Sequence, residues 1–428
     1  MRLRLFILLA ACAANAAAAE PPISVLFVGN SYTFGRVDPV LSYNAANVRD
    51  LTRPQGPLVV SGAATIPFTA LAGTNSYPVG TINPATGAEF DSYSPHTQTN
   101  GWGGVAGIFK QFTVQAGLNY DVALSTRNAA TLRGHMLNTG NANWDMRGNI
   151  ASQAWDKVVM QEQSDEPLVP KTVNGVALGS NPGSFQAYVN VMENFVHKGD
   201  AVSYRDSQLF AGGNNTLRNL PANPNKNAAA DLYLFQTWAR PNLINSPGTA
   251  IIDPRTGDAT YDPTRPVPSF YSNLESMTEE LRASYALAAA LADDDGTKGI
   301  TGIAPVGQAF LRAVQQGIAT RDMYGSDALT DGLIDLWFND GTHASKWGSY
   351  LAALTLFGTL TGLDPLSLGP DEIAARDLGI SREEAFLLQS IASAELAAVP
   401  EPGTFALMAL GLAALVGLHT RKGSRVVA

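Results

Sequence analysis

Five short apolar runs punctuate the chain, at Ile23–Gly29, Tyr120–Ser125, Trp155–Gln161, Asp231–Thr237 and Gly302–Val306. Each is bounded by Gly, Asn, Asp or Pro and is apolar without alternation, the pattern of parallel strands covered on both faces. Helical stretches are interspersed. Gly107–Ala116 leads into the second run, Ser184–Val196 follows the third, Leu274–Leu291 precedes the fifth, and Ser345–Thr361 follows them all. Strand alternating with helix predicts a three-layer α/β/α sandwich around a roughly five-stranded parallel sheet. Such a sheet gathers its functional residues at the carboxyl ends of its strands.

Two stretches break the repeat. Residues 52–104 are rich in Thr, Asn, Pro and Gly with little periodicity, and 242–268 contain Asp253-Pro254-Arg255-Thr256-Gly257-Asp258, which reads as a turn or small hairpin. Loops of this length in a compact domain are usually lids or insertions.

Composition adds little to this picture except by exclusion. The 428 residues are 45% hydrophobic and 15% charged, a globular balance, and the net charge of -9 comes without a Lys/Arg cluster in the body of the chain, which argues against nucleic acid as a partner. The two ends are more telling. Met1-Arg2-Leu3-Arg4, the apolar run Leu5–Ala11 and the small residues Ala13–Ala19 form a secretory signal with a cleavage point after Ala19, where signal peptidase would act. The sole cysteine, Cys12, lies in Leu9-Ala10-Ala11-Cys12, similar to a lipobox but very early; cleavage after Ala19 removes it and leaves no thiol chemistry.

At the other end, Val399-Pro400-Glu401-Pro402-Gly403 is followed by the apolar run Thr404–Leu418 and by Arg421-Lys422. The three parts in this order resemble the PEP-CTERM sorting signal of Gram-negative bacteria. That resemblance implies transient membrane anchoring, removal of the segment by an exosortase, and a product at the cell surface, in the outer envelope or in the extracellular matrix. The expected organisation is thus a signal peptide at 1–19, a main domain at 20–398 with insertions near 52–104 and 242–268, and a sorting signal at 399–428 with its membrane segment at 404–418.

The chemistry begins at Val25-Leu26-Phe27-Val28-Gly29-Asn30-Ser31-Tyr32-Thr33, where an apolar strand runs into Gly-Asn-Ser and puts a hydroxyl at the edge of the sheet. Neither a dinucleotide loop nor a P-loop fits these residues. A serine nucleophile needs a base within reach, itself oriented by a third group. Of five histidines, His419 belongs to the tail, His96 to the first insertion, and His135 and His197 lack an acid three residues before them. His343 has one, in Asn339-Asp340-Gly341-Thr342-His343-Ala344-Ser345, just before a good helix N-cap.

Together these blocks resemble the SGNH (GDSL-like) hydrolase superfamily over roughly Ile23 to Gly362. Gly29-Asn30-Ser31 matches its first block and Asp340-Gly341-Thr342-His343 its last, which implies a flavodoxin-like fold and a catalytic triad of Ser31, His343 and Asp340. Gln161-Glu162-Gln163-Ser164 and Thr237-Trp238-Ala239-Arg240 resemble a subgroup. The middle blocks depart from the pattern. A glycine N–H is replaced at Ala129, in Asn128-Ala129-Ala130-Thr131-Leu132, and an asparagine side chain by Gln163, so the implied oxyanion donors are the N–H groups of Ser31 and Ala129 and the Gln163 amide. Gly212-Gly213-Asn214-Asn215 matches the third block better in letters but reads as a loop; if it is the block, the donor is Asn214 or Asn215.

Other candidates carry less. Asp293-Asp294-Asp295-Gly296 lacks the spaced ligands of a calcium loop and reads as a solvated helix end. Tyr233-Leu234-Phe235 and Trp238 read as core, and Glu162 and Arg240 as a surface ion pair. No metal or cofactor is expected. The resemblance implies an exported serine esterase or deacetylase acting on esters, with O-acetylated extracellular polysaccharide as substrate; the alternative is a surface or matrix protein that binds glycan on the same fold without turnover.

Overall fold

The computed structural model describes residues 20–35, 39–51, 102–138, 145–252, 259–328 and 330–398, with the backbone of two further two-residue strands at 58–59 and 65–66. Both ends of the chain, His96 and most of the first insertion lie outside the described residues. The core is a six-stranded sheet: β1 (Ile23–Gly29), β2 (Arg49–Asp50), β3 (Tyr120–Thr126), β4 (Lys157–Met160), β5 (Asp231–Phe235) and β6 (Gly302–Ala304). The strand order is β6-β5-β4-β1-β3-β2 and every pairing is parallel. β1 sits in the middle, with Gly29 opposite Thr126 of β3 and Val28 opposite Met160 of β4. From Val25 onward β1 is wholly buried, which is why it carries Val, Leu and Phe on both faces rather than alternating.

Eight helices matter here: α1 (Ser31–Phe34), α2 (Gly104–Gln115), α3 (Leu132–Leu137), α4 (Pro182–His197), α5 (Leu274–Ala292), α6 (Val306–Gln315), α7 (Lys346–Thr361) and α8 (Arg382–Ala398). They pack in two groups, α2 with α7 and α8, and α3 with α4 and α5, while α6 touches α5, α7 and α8. Phe109 on α2 meets Phe27 of β1 edge-on, and Phe112 does the same to Tyr350 and Phe357 of α7. Phe185 of α4 meets Tyr285 of α5. This is the expected sandwich, with one strand more than expected at the β2 edge.

Local signals explain the ends of these helices. Asn181 and Asn273 cap α4 and α5 with their side chains, Pro182 opens α4, and Ser345 accepts from the N–H groups of Trp347 and Gly348 to start α7. Besides the short α1 and α3, two longer helices escape the sequence pattern. Val306, read as the end of the last strand, is the first residue of α6, because Pro305 has already turned the chain. α8 was overlooked although Ser381 and Glu384 form a capping box, Ser381 N–H to Glu384 Oε2 at 2.7 Å and Glu384 N–H to Ser381 Oγ at 3.2 Å.

In the second insertion Thr249–Ile252 pairs antiparallel with Ala259–Asp262; the turn between them lies outside the described residues. Asp293 and Asp294 form an exposed end to α5, as expected, while Asp295 accepts from Asn194 and pairs with Lys198 at 3.1 Å. Among the described residues no helix is long and apolar enough to cross a membrane, and the apolar run 404–418 is not among them.

Candidate active site

Ser31 stands at the first position of α1, immediately past the carboxyl end of β1. The turn that presents it is held from beneath. Asn30 caps α1 by accepting from Tyr32 N–H, and its amide donates to the Ala130 carbonyl at 3.0 Å. Gln161, at the end of β4, accepts from Asn30 N–H and from the Thr33 hydroxyl, both at 2.9 Å. Gly29 is required here: a Cβ would lie 2.3 Å from Thr33 Oγ1 and 2.6 Å from Gln161 Oε1. The buried ring of His135 reaches the Gly29 carbonyl through Nε2 at 2.9 Å. Burial pushes its pKa down to about 4, so it acts as a neutral donor to the end of the strand.

Ser31 Oγ lies 2.8 Å from His343 Nε2, and His343 Nδ1 lies 2.5 Å from Asp340 Oδ2. Asp340 Oδ1 accepts from the N–H groups of Thr342 and His343, each at 2.9 Å, which closes the turn that bears the imidazole. Gly341 sits in that turn at φ +66°, where a Cβ would also strike the Tyr324 hydroxyl. Burial opposes the charge of Asp340, but His343 and the two backbone N–H groups outweigh it and hold the carboxyl below its usual range. The structure thus brings together the three side chains that the sequence singled out from separate ends of the domain.

The turn is tied to the serine by more than that contact. The Thr342 carbonyl accepts from Tyr32 Oη at 2.7 Å and from Trp238 Nε1 at 3.0 Å, and the Tyr32 and Trp238 rings stack at 4.2 Å. Trp238 stacks in turn on Phe310 of α6. Trp238 is therefore core, as expected, but core that carries a polar edge to the site. Sequence reasoning assigned no part to Tyr32 or Gln161; both lay inside quoted motifs, and only the three-dimensional contacts reveal their work.

Ala129 lies on the loop after β3, exposed, at φ +54°. This is the left-handed region that a glycine enters freely and an alanine enters at about 1–2 kcal/mol. Ala129 thus adopts a backbone conformation that favours glycine, and its N–H is retained. Ala129→Gly is expected to raise stability by about 1 kcal/mol, read as a rise in the thermal midpoint. A lower midpoint would show that the left-handed conformation is not strained here.

Gln163 follows β4. Its Oε1 accepts from the N–H groups of Asp165 at 2.7 Å and Glu166 at 3.2 Å. Because the carbonyl end is engaged by two donors, the amide orientation is set and its N–H₂ end is the one available to an acceptor. Asn214 and Asn215 are exposed residues of a separate excursion, whose strands Val202–Arg205 and Leu217–Leu220 pair antiparallel. Their carboxamide oxygens serve that excursion, accepting from Thr216 N–H and Ser207 Oγ respectively.

The reading of Glu162 and Arg240 as a surface ion pair is overturned. Glu162 is fully buried and accepts from the N–H groups of Leu132 and Gln163. Arg240 is buried as well, but pairs with Asp165 and donates to Ser164 Oγ at 2.8 Å. His197 shows a carboxylate–histidine pair that is not part of this site. It contacts Glu193 at 2.5 Å through Nδ1, while Nε2 is taken by the Ala230 carbonyl at the opposite, amino end of β5. Among the described residues no group of His, Cys, Asp and Glu could hold a metal ion.

Comparison with known proteins finds the PEP-CTERM protein-sorting motif at residues 398–422, the mark of an exported protein handled by an exosortase. No curated protein matches the chain. Similar solved structures include a DUF4886 family protein from Bacteroides uniformis, at 13% identity and TM-score 0.43 over 90% of this chain and 99% of that one. A putative SGNH hydrolase from Slackia heliotrinireducens is 16% identical with TM-score 0.34, over 79% of this chain and 99% of that one. A carbohydrate acetylesterase from Sinorhizobium meliloti is 13% identical with TM-score 0.30, over 79% and 98%. The chain thus carries a PEP-CTERM signal behind a mixed α/β domain whose structural neighbours include SGNH hydrolases and carbohydrate acetylesterases.

Proposed function

We propose that the protein is an exported serine hydrolase that cleaves ester bonds through an acyl-enzyme, with O-acetyl groups of extracellular polysaccharide as its substrate. The observation that carries this reading is the continuous relay from Ser31 Oγ through His343 to Asp340, at 2.8 and 2.5 Å. In the first step His343 Nε2 takes the Ser31 proton as the oxygen attacks the acyl carbon. The N–H groups of Ser31 and Ala129 and the amide of Gln163 receive the charge that develops on the carbonyl oxygen. As the acyl C–O bond breaks, the protonated imidazole gives its proton to the sugar oxygen, which leaves as the free hydroxyl, and Asp340, ionised and hydrogen-bonded to Nδ1, stabilises the imidazolium between these steps. Water, deprotonated by His343, releases acetate and restores the serine. Every proton is accounted for by these three side chains.

Release of acetate from an O-acetylated polysaccharide by the purified protein tests the substrate, with p-nitrophenyl acetate as the generic ester. Turnover of the small ester without acetate release from any acetylated glycan would retain the hydrolase and discard the substrate.

The oxyanion assignment has its own test. A donor that acts in the transition state lowers kcat far more than it raises KM when removed. Gln163→Ala is expected to lower kcat about 10²-fold, while Asn214→Ala and Asn215→Ala leave it near wild type. The reverse pattern would move the third block to the Gly212–Asn215 loop.

A further inference from the structure

Glu162 has a task that the proposed mechanism leaves unassigned. Its carboxyl is fully buried beside the site, and among the described residues it forms no salt bridge. Burial pushes its pKa well above the usual carboxylate range, so the chain keeps an ionisable group where its charge is disfavoured. Its hydrogen bonds run to backbone. Oε1 accepts from Gln163 N–H at 2.6 Å and from Leu132 N–H at 3.1 Å, with Oε2 also 3.3 Å from the latter.

Those two N–H groups belong to the two segments that carry the proposed donors. Leu132 lies three residues past Ala129, and Gln163 is itself the side-chain donor. Ala129 is in a conformation that persists only when its surroundings over-determine it. The loop is held on its strand side by Arg127 N–H on the Gly29 carbonyl, at 3.1 Å, and in the middle by the Asn30 amide on the Ala130 carbonyl. Glu162 supplies the hold at the far end, on Leu132.

We propose that Glu162 is a positioning residue: its carboxyl clamps the loop bearing Ala129 to the turn bearing Gln163 and so fixes the spacing of the two donors. The inference rests on the hydrolase reading above. It also explains how alanine serves where a glycine would be expected, since the clamp holds the strained residue in place. What the clamp needs is the oxygen that both N–H groups share, and an amide of the same length retains it.

The test combines kinetics on p-nitrophenyl acetate with hydrogen exchange. Glu162→Ala is expected to lower kcat about tenfold or more with KM within about twofold, as misplacement of transition-state donors does. Glu162→Gln should stay within about threefold of wild type, because one oxygen can take both N–H groups. In Glu162→Ala, amide exchange over residues 127–133 should quicken at least about tenfold while that of β1 and α7 stays unchanged. A role confined to stability would lower the thermal midpoint and leave the kcat of the folded enzyme alone; that result overturns the proposal. If Glu162→Ala does not fold, Glu162→Asp decides, since the shortened carboxylate withdraws from both N–H groups; a wild-type kcat there overturns it equally. Wild-type protein inert to every ester would sink the hydrolase reading, and unchanged exchange at 127–133 would sink the clamp whether or not esters are cleaved.

Discussion

Ser31→Ala is expected to lower kcat/KM on p-nitrophenyl acetate by about 10⁴-fold or more while leaving the fold intact. The hydroxyl forms the covalent bond, so its loss removes the acyl-enzyme route altogether, and what survives is only what the oxyanion donors and binding supply to attack by water. The fold should be indifferent. Ser31 begins α1, but the cap is Asn30, and the backbone of the turn is held by Gln161 and the Asn30 amide. Thermal denaturation of the variant should therefore overlay that of wild type within a few degrees. Retained esterase activity in a correctly folded Ser31→Ala protein would place the nucleophile elsewhere.

Asp340→Asn is expected to cost about 10³–10⁴-fold in kcat. The reason is tautomeric. The aspartate accepts the Nδ1 proton, which leaves Nε2 free to take the proton of Ser31. An asparagine amide turned towards Nδ1 donates instead, so the proton moves to Nε2 and the base faces the serine already protonated. The opposite amide orientation keeps the tautomer but abandons the Thr342 and His343 N–H groups that close the turn. The wild-type carboxyl also has a pH signature. Its pKa lies below the reference of 3.8, so the stability it contributes is complete above that value and is lost as the pH falls through the depressed one. In Asp340→Asn this acid-side loss should be smaller, measured by thermal denaturation from pH 5 down to about 2. A variant with near wild-type kcat would show that His343 needs no orienting acid.

How much of this was legible beforehand follows from the range of each interaction. The strands could be read because burial on both faces leaves an unbroken apolar run, and the capped helices α4, α5 and α7 announce themselves with Asn and Ser. The two-residue edge strand Arg49–Asp50 could not, since it is polar and pairs only with Ala123 and Leu124 of a distant segment. The same division holds at the site. Asp340 and His343 are neighbours on a turn, so spacing alone suggests them. Gln161 accepts from Asn30 N–H, next to the serine, across 131 residues of sequence, and nothing local in a Gln-Glu-Gln string says which carboxamide faces which loop. Glu162 and Arg240 were misjudged for a related reason. Charged residues are seldom fully buried without a partner, so two opposite charges near a strand end suggest a mutual pair. Here Arg240 found Asp165, and Glu162 is satisfied by backbone N–H groups, which leave no mark in the sequence. The left-handed backbone at Ala129 could not be read from the residue itself, because an alanine, unlike a glycine, does not favour it.

Intact-mass and peptide analysis after treatment with a fluorophosphonate ester tests the central claim most directly, because the reagent is captured only by a serine activated within an oxyanion site. One phosphonyl adduct per chain is expected, located on Ser31, formed rapidly in wild type and absent from Ser31→Ala and, under the same conditions, from His343→Ala. An adduct on another residue, or full ester turnover with Ser31 unmodified, would contradict it.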